Sequence, residues 1–426
     1  MKIRLIALGI ILLHSLLSGA QPVIPLTLDT CQKLALSHQT LTRKMGLYRQ
    51  MHELEVETLN KQLLPGLSLS GQASWQSEVT ELPIHLPSID IPSMDKDSYK
   101  ANLEINQLIW DGGILNRQKK MENVLLLLNL GAVEIEQYNL RSRVNQVFFS
   151  ILLANENEKL LKTAMEEIGA RLSRVRAGVE NGAILPANAS VLDAELINTE
   201  QTLAGLVHNR AADIYQLAEL TGLELSPDVI LTEPVYDDLP AINTRLRPEY
   251  RLLVTQQQQL GLKQEMSKLD IIPRLSAFGL LGYGKPGLNM LSDEFNPYAM
   301  VGVRLSWKLW DWKQHQKHHD ILGLQSQVVD MRKETYEQDL RIMLQRIKQD
   351  IVKLETLIAA DHRIISLRKS VAESAAVQLD QGLITSSDYL TEQNAYIRAQ
   401  LNLQLHHIQL QHARTLYLTT MGYAQH

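Results

Sequence analysis

One segment of this sequence nearly spells a phosphate-binding loop. Residues 279–286 read GLLGYGKP, and glycine amides followed by a lysine could cradle and neutralise a phosphate. The next position would need Ser or Thr to hold magnesium, but it is Pro286, and no helical pattern follows to offer its N-terminus. The segment therefore predicts a strand and its outer turn rather than a nucleotide site.

Histidines form the other chemically suggestive groups. His315 and His319 would share a helix face, with His318 beside them, so a metal site is conceivable. No carboxylate or cysteine completes the set at similar spacing, which favours a polar collar, and His406, His407 and His412 are predicted helix-surface residues. No Ser-His-Asp, paired-carboxylate or cysteine-based arrangement emerges from the spacing. The sequence predicts a protein that is not an enzyme and has no cofactor or metal.

The N-terminus predicts export. Lys2 and Arg4 precede an apolar run, and Ser18-Gly19-Ala20 follow, so residues 1–20 are predicted to be a signal peptide cleaved after Ala20. No later run approaches the roughly 20 apolar residues of a spanning helix. Cys31 is the only cysteine, which excludes an intrachain disulfide and predicts a small apolar helix residue.

Charge and composition narrow the class further. Removing Lys2 and Arg4 with the signal takes the net charge from −5 to about −7, and no basic run suggests nucleic-acid binding. Gln, Leu, Ala, Glu and Lys dominate long windows, while aromatic residues make up 5% of the chain. This composition favours long, narrow helical packing over large globular cores.

The organisation repeats at an offset of 200 residues. SYKANLEINQLIWDGG at 98–113 corresponds to PYAMVGVRLSWKLWDWK at 297–313, so that Asp111 matches Asp311. Gly182 and Gly222 match Gly382 and Gly422 at the same offset. The pattern predicts a first structural repeat at 21–223, a connector at 224–247 and a second repeat at 248–426.

Helical and strand periodicities alternate within each repeat. A helix over 27–63, with Thr27 as N-cap, precedes strands at about 66–76 and 98–110, and a helix from about 248 to 269 precedes strands at about 274–284 and 297–309. Heptad-spaced rods follow at 114–181 and 313–381, each about 100 Å long at 1.5 Å per residue. Helices then return towards Gly222 and Thr420, so each repeat contains a long helical hairpin.

The strands alternate apolar and polar residues over about ten positions each, which fits a transmembrane β-barrel; a half-buried sheet of a soluble domain is the alternative. Aromatic residues gather at the strand ends, as in interfacial belts; those assigned to the membrane interface are Trp75, Tyr99, Trp110, Tyr298, Trp307, Trp310 and Trp312. Four strands cannot close alone in lipid, because unpaired edges are costly there. Three copies, giving about 12 strands, would leave a water-filled lumen.

This ordered set resembles the TolC family of outer-membrane efflux proteins over nearly the whole mature chain. LTLDTCQKLALSHQTL is similar to the family's opening helix, LLPGLSLSG and IIPRLSAFG to its helix-to-strand junctions, and LIWDGG and KLWDWK to its strand-to-helix corners. The resemblance implies a mainly α fold with a transmembrane β part. It implies a homotrimer in which a 12-stranded outer-membrane barrel continues into a periplasmic α-barrel tunnel. Such a duct conducts substrates passively, with an inner-membrane transporter and a periplasmic adaptor as partners.

The resemblance also assigns roles at the hairpin tips. Gly182, Ala183 and Ile184 at the first tip, and Gly382, Leu383 and Ile384 at the second, match adaptor-docking turns. Asp388 matches an acidic position that lines the closed periplasmic entrance, and three copies would form a ring of negative charge. Departures from the family pattern are Asn181 and Gln381 before the glycines, Thr391 at the second gate acid, and Asn188 and Pro186 in the first repeat; the chain is left with one acidic ring rather than two.

Two non-channel alternatives stay open at this point. A periplasmic adaptor also uses long helical hairpins, but it has one hairpin inserted into a β-rich part rather than a duplicated plan. A soluble coiled-coil scaffold leaves the four alternating strands without a purpose.

Overall fold

The computed structural model describes residues 25–79, 95–236, 239–290 and 292–423; the predicted signal peptide lies outside them. The described chain is mainly helical, with two short strands and four long ones. In chain order the elements are β1 Leu26–Thr27, α1 Leu28–His38, α2 Leu41–Lys61, β2 Gly66–Trp75, β3 Asp97–Trp110, α3 Ile114–Glu180, α4 Pro186–Thr221, β4 Leu231–Thr232, α5 Pro248–Ser267, a 3₁₀ turn Lys268–Ile271, β5 Arg274–Lys285, β6 Asn296–Ser306, α6 Gln314–Asp380 and α7 Ser386–Met421.

The 200-residue offset of the sequence is kept in the helices. Helices α3 and α6 both contain 67 residues, and α4 and α7 both contain 36. Gly182 and Gly382 end the long helices with φ of 69° and 70°, and Gly222 and Gly422 end the return helices with φ of 72° and 93°. Glycine tolerates this left-handed conformation without a Cβ penalty. The helical hairpin of the first repeat therefore recurs in the second.

The chain divides into two compact units that do not follow the sequence repeats, because each unit takes residues from both. Of the described residues, unit 1 contains 25–44, 133–236, 239–250 and 335–423, and unit 2 contains 45–79, 95–132, 251–290 and 292–334. In unit 1 the main core forms around Phe148, Ile151 and Leu217, with Cys31 fully buried beside them, as its sequence context predicted. Unit 2 contains the four long strands and a small helix cluster of Leu260, Leu322 and Val329.

Two details differ from the sequence prediction, and one agrees with it. The helix expected over 27–63 is two helices, because Gln39 adopts an extended conformation after α1. Thr27 is the N-cap of α1, as predicted, and accepts a hydrogen bond from the Thr30 amide at 3.2 Å. The last long strand ends at Ser306 rather than 309, and the Trp307 indole donates to the Ile271 carbonyl at 3.0 Å.

The connector contains a strand that periodicity could not signal. Strand β4 pairs in parallel with β1, placing Leu26 opposite Leu231 and Thr27 opposite Thr232. The Leu26 amide donates to the Ile230 carbonyl at 2.8 Å. The pair ties the start of the described chain to the connector between the two repeats.

Each strand-to-helix corner depends on an aspartate. The Asp111 carboxylate accepts the Gly113 amide at 2.8 Å and the Leu115 amide at 2.6 Å, and Asp311 accepts the His315 amide at 3.0 Å. These bonds satisfy amides of the first helical turn, which otherwise have no partner. The two residues after each aspartate have positive φ, a conformation that glycine supplies in the first corner and that Trp312 and Lys313 adopt in the second.

Replacement of Asp111 should measure this capping. Asp111→Ala leaves two amides of the corner without their acceptor, so we expect a loss of about 1 kcal/mol in the free energy of unfolding. Denaturant unfolding of the detergent-purified protein provides the measurement. Asp111→Asn keeps a side-chain oxygen and should lose less; equal stability of all three proteins would contradict the assigned role.

Candidate functional site

The four long strands form an antiparallel sheet in the order β2-β3-β5-β6. Its register aligns apolar side chains in rows across one face. One row runs Leu67, Ile105, Gly279, Val301, and the next runs Leu69, Leu103, Leu281, Ala299. This face is open: Val301 is 85% exposed and Leu69 is 79% exposed. A soluble chain rarely leaves so large an apolar surface uncovered.

Aromatic side chains border this face at both ends of the sheet. Trp75, Tyr99 and Tyr283 lie at the end away from the helices, where the Phe295 ring is 5.7 Å from Tyr283 and 6.2 Å from Tyr99. At the helix end, Trp110 is the last residue of β3, while Trp307, Trp310 and Trp312 lie in the segment that follows β6, where the Trp310 and Trp312 rings are 5.8 Å apart. Trp110 stays on the apolar side, opposite Leu275, because a register shift between Leu108 and Trp110 realigns the strand.

Tyr298 does not belong to these aromatic groups, which corrects its assignment to the membrane interface. The register pairs it with Gly282, on the opposite, polar face of the sheet. Its hydroxyl contacts the Asn102 side-chain oxygen at 2.6 Å, and a Cβ at Gly282 would lie 2.1 Å from its ring. Side chains alternate between the two faces of a strand, and the apolar residues of β6 have odd numbers. Tyr298 has an even number, and this is the sequence signal that places it on the polar face.

Both outer strands of the sheet have an unpaired edge. Strand β2 is bonded to β3 only and β6 to β5 only, so each leaves one row of backbone amides and carbonyls without a strand partner in the described part of the chain. Such edges are templates for pairing with another chain.

The hairpin tips in unit 1 form the second candidate site. At the first tip the Ala183 amide donates to the Gly178 carbonyl at 2.8 Å. At the second tip the Leu383 amide donates to the Gln378 carbonyl at 2.9 Å. Each tip exposes one leucine, Leu185 at 72% and Leu383 at 70%. Ile184 and Ile384 instead pack against the core around Leu192 and Tyr389. The predicted docking residues therefore include both exposed and partly buried side chains.

Asp388 has a structural role that the resemblance to the TolC family did not reveal. It is the third residue of α7, where its carboxylate accepts the Thr385 amide at 3.0 Å while Thr385 accepts the Asp388 amide at 3.2 Å. Hydrogen bonds from the Thr385 side chain and backbone lower the pKa of Asp388. This reciprocal arrangement is a capping box, which the T-x-x-D spacing could have indicated.

Asn188, the counterpart of Asp388, binds across to the other hairpin. Its side-chain oxygen accepts the Ser386 amide at 2.9 Å. One residue of the duplicated pair thus caps its own helix, and the other satisfies an amide of the neighbouring tip.

An arginine cluster joins the two hairpins just above the tips. Arg171 on α3 donates to the Ala376 carbonyl at 3.2 Å, binds the Asp380 carboxylate and lies 5.2 Å from the Tyr389 ring centre. Arg174 reaches the same carboxylate at 3.4 Å. The hydrogen bond from Arg171 is the main cause that lowers the pKa of Asp380. The cluster therefore stabilises the ionised form of Asp380.

The histidine groups have partners in the fold. The Asp311 carboxylate lies 2.8 Å from His315, so a carboxylate does occur near this group, contrary to the sequence interpretation. His319 contacts the Gln264 carbonyl at 3.3 Å, and His406 contacts Asp361 at 2.6 Å. His412 packs 4.9 Å from the Phe149 ring and is partly buried rather than a surface residue; burial lowers its pKa. No group of three potential metal ligands occurs among residues 25–79, 95–236, 239–290 and 292–423.

The segment resembling a phosphate loop is a strand, as predicted. Gly279 and Gly284 belong to β5, paired with β3 on one side and β6 on the other. Among the helices that the structure describes, none has the length and hydrophobicity needed to cross a membrane.

Comparison with solved structures identifies the fold. CusC, described in terms of transmembrane channel formation, matches with a TM-score of 0.72 and 14% identity over 93% of this chain and 92% of that one. The outer-membrane channel OprN matches with a TM-score of 0.70 and 16% identity over 93% and 89%. The open-state outer membrane channel MtrE of Neisseria gonorrhoeae matches with a TM-score of 0.68 and 16% identity over 93% and 89%.

No protein-family model and no curated protein matches the sequence. The structural matches nevertheless include most of both repeats, because they extend over 93% of the chain. The chain has the fold of outer-membrane channel proteins, and the resemblance inferred from the sequence is confirmed at the level of the fold.

Acid should weaken the arginine cluster. A carboxylate with a lowered folded-state pKa contributes stability above its unfolded pKa, about 3.9, and loses it as pH falls through the folded value. The wild-type melting temperature should therefore fall more between pH 5 and pH 2 than that of Asp380→Asn. Glu373→Gln, at an exposed carboxylate 3.9 Å from Lys369 on the same helix, is the control and should behave as wild type. Parallel pH profiles for all three proteins would contradict the role of Asp380.

Proposed function

We propose that this protein is the outer-membrane exit duct of a tripartite efflux or type I secretion system. In this proposal the sheet of unit 2 lies in the outer membrane and the helical hairpins project into the periplasm. The duct conducts substrates passively from an inner-membrane transporter, with a periplasmic adaptor bound at the hairpin tips.

One observation carries the proposal: an open apolar sheet face bordered by aromatic side chains at both ends. Tyr99 and Trp110 are eleven residues apart on β3. At about 3.4 Å per residue and a tilt of about 40° they would span roughly 28 Å of bilayer, close to the apolar band of about 25 Å in outer-membrane barrels. Lipid is the environment in which this face needs no other cover. A soluble scaffold or a periplasmic adaptor would leave this apolar face exposed to water.

The unpaired edges of β2 and β6 support assembly of three copies. Unsatisfied backbone groups in lipid cost several kcal/mol each, so the edge of β6 would pair with β2 of the next copy. Two copies would give about eight strands, a barrel filled by side chains, whereas three would give about 12 and leave a lumen. A homotrimer therefore satisfies both the edges and the need for a passage.

The tips support the adaptor in this proposal. Leu185 and Leu383 are exposed apolar side chains at the two turns, beside Gly182, Ala183, Gly382 and the partly buried Ile184 and Ile384. Two apolar contacts per chain, repeated around a trimer, suit a partner that docks on the end of a tunnel.

Cysteine cross-linking tests the trimer. Paired cysteines at Ser68, Ser70 or Gln72 on β2 and at Met300 or Arg304 on β6 should form disulfides between copies, because the two edges would be neighbours. We expect covalent dimers and trimers on a non-reducing gel after extraction from outer membranes. Cys31 serves as a silent background, since burial raises the pKa of its thiol to about 12.

A matched pair controls for random collision. Ser70 combined with Ser276 places one cysteine on β5, which is bonded on both sides within its own chain, so it should give no cross-linked trimer. If every β2–β6 cysteine pair gives only monomers on the gel, the trimeric barrel is contradicted.

The gate assignment of Asp388 has its own test. If three copies of Asp388 line a closed entrance, Asp388→Asn should change the low-salt conductance or the cation preference in planar bilayers, because the ring of charge is lost. Asn retains a capping oxygen, so helix α7 should still begin normally. Thr385→Ser is the control, since it keeps both the cap and the charge. A record identical to wild type would leave Asp388 as a capping residue only.

A further inference from the structure

The polar face of the sheet carries an excess of positive charge. Lys100, Arg274 and Arg304 lie on it with one carboxylate, Glu104, which leaves a net charge of +2 among the strand residues of this face. The apolar face is the one assigned to lipid above, so the polar face would line the lumen. We infer that the β part of the duct is selective for anions, and that anionic solutes are the class of cargo it passes most readily. The inference rests on the proposed function.

Within the described residues, the positive charges of this face have no ionic partner. No ion pair joins Lys100, Arg274 or Arg304 to an acid among the residues that the structure describes. Arg304 lies 5.0 Å from the centre of the Phe278 ring, a contact that orients the guanidinium and leaves its charge intact. The field of these groups is therefore available to a passing solute.

Glu104 does not cancel that field. Its carboxylate accepts a hydrogen bond from the Asn106 side-chain Nδ2 at 2.9 Å, and its strand neighbours in register are Ser68 and Leu280. Lys100 is four residues away on the same strand, about 13 Å at 3.3 Å per residue. This separation exceeds a Debye length of about 8 Å at physiological salt, so the two groups act as separate charges.

Aromatic residues of the same face lie flat on the sheet. A Cβ at Gly282 would be 2.1 Å from the Tyr298 ring, and one at Gly302 would be 2.9 Å from the Phe278 ring. Both glycines therefore make room for a neighbouring ring, which keeps these rings against the backbone. The long charged side chains remain as the groups that extend from the face.

Three copies would place about six net positive charges around one passage. Low-dielectric walls lined by one sign of charge focus the field and raise the local concentration of the opposite ion. At the outer end, Lys285 is held by Asp95 and by Asp293 at 3.5 Å, so these two carboxylates are paired with a local cation.

Reversal potentials in a potassium chloride gradient test the inference. The protein carrying Asp388→Asn, which removes the acidic ring proposed at the tips, is purified and recorded in planar bilayers at about 0.1 M mean salt, where screening extends over about 10 Å. In that background it should pass chloride about twofold or more over potassium. The double variant Lys100→Gln with Arg304→Gln should lose most of that preference, and Glu104→Gln should increase it. Arg304→Lys keeps the charge without the planar contact to Phe278 and should retain the selectivity of the background protein.

The outcomes separate this inference from the proposed function. Pores that prefer potassium, or whose ion preference is the same in all of these variants, would overturn the anion selectivity. The proposed function as an exit duct would still hold. Protein that inserts and gives no pores would overturn both. Loss of preference in Arg304→Lys as well as in the glutamine variant would show that the Phe278 contact, rather than the charge, determines it and would also overturn the assignment.

Discussion

Backbone hydrogen bonding at the edges of one small sheet is the constraint on which the rest of this molecule depends. Within the described residues, four strands with an apolar face leave a row of amides and carbonyls without a strand partner on β2 and another on β6. In water those groups would be solvated, but the apolar face would be exposed at a large free-energy cost. In lipid the face is satisfied and the edges are not. Closure by further copies, as proposed above, would remove this conflict, and the rest of the chain would have to accommodate such a ring.

The corners and tips show how the chain connects a sheet to very long helices. Asp111 and Asp311 accept the first amides of α3 and α6, so each helix begins within four residues of its aspartate. In both repeats the helix contains 67 residues, and a glycine with a left-handed conformation follows its end. A duplicated unit with equal lengths delivers both tips to comparable positions along their hairpins, where Asn188 and Ser386 can meet. The equal helix lengths keep Gly182 and Gly382 at the same distance along the chain from Asp111 and Asp311.

Much of this could be predicted from the sequence because the governing patterns are long. Ten-residue alternation predicts strands, sustained heptads predict rods, and a repeated Trp-Asp corner predicts duplication. Short features were beyond reach. The two-residue pairing of Leu26 with Leu231 has no periodicity, and the break at Gln39 lies in a stretch whose residues all tolerate a helix. Thr27, by contrast, was correct because a cap has a local signature.

The site residues were predicted less well, because their roles come from contacts between distant elements. Tyr298 was grouped with the interface tryptophans by residue type, although its parity places it over Gly282. Arg171 gave no signal at all, since its partners Asp380 and Tyr389 are some 200 residues away in the sequence. Asp388 was recognised by resemblance alone, and its capping bond to Thr385 offers a second reason for an acid there.

The central claim is that copies of this chain close a water-filled passage through a membrane. Single-channel recording of the detergent-purified protein in a planar bilayer tests it most directly. Discrete, reproducible conductance steps from a species whose mass is that of three chains are the predicted result. A monodisperse single chain that associates with the bilayer and gives no steps would contradict the account.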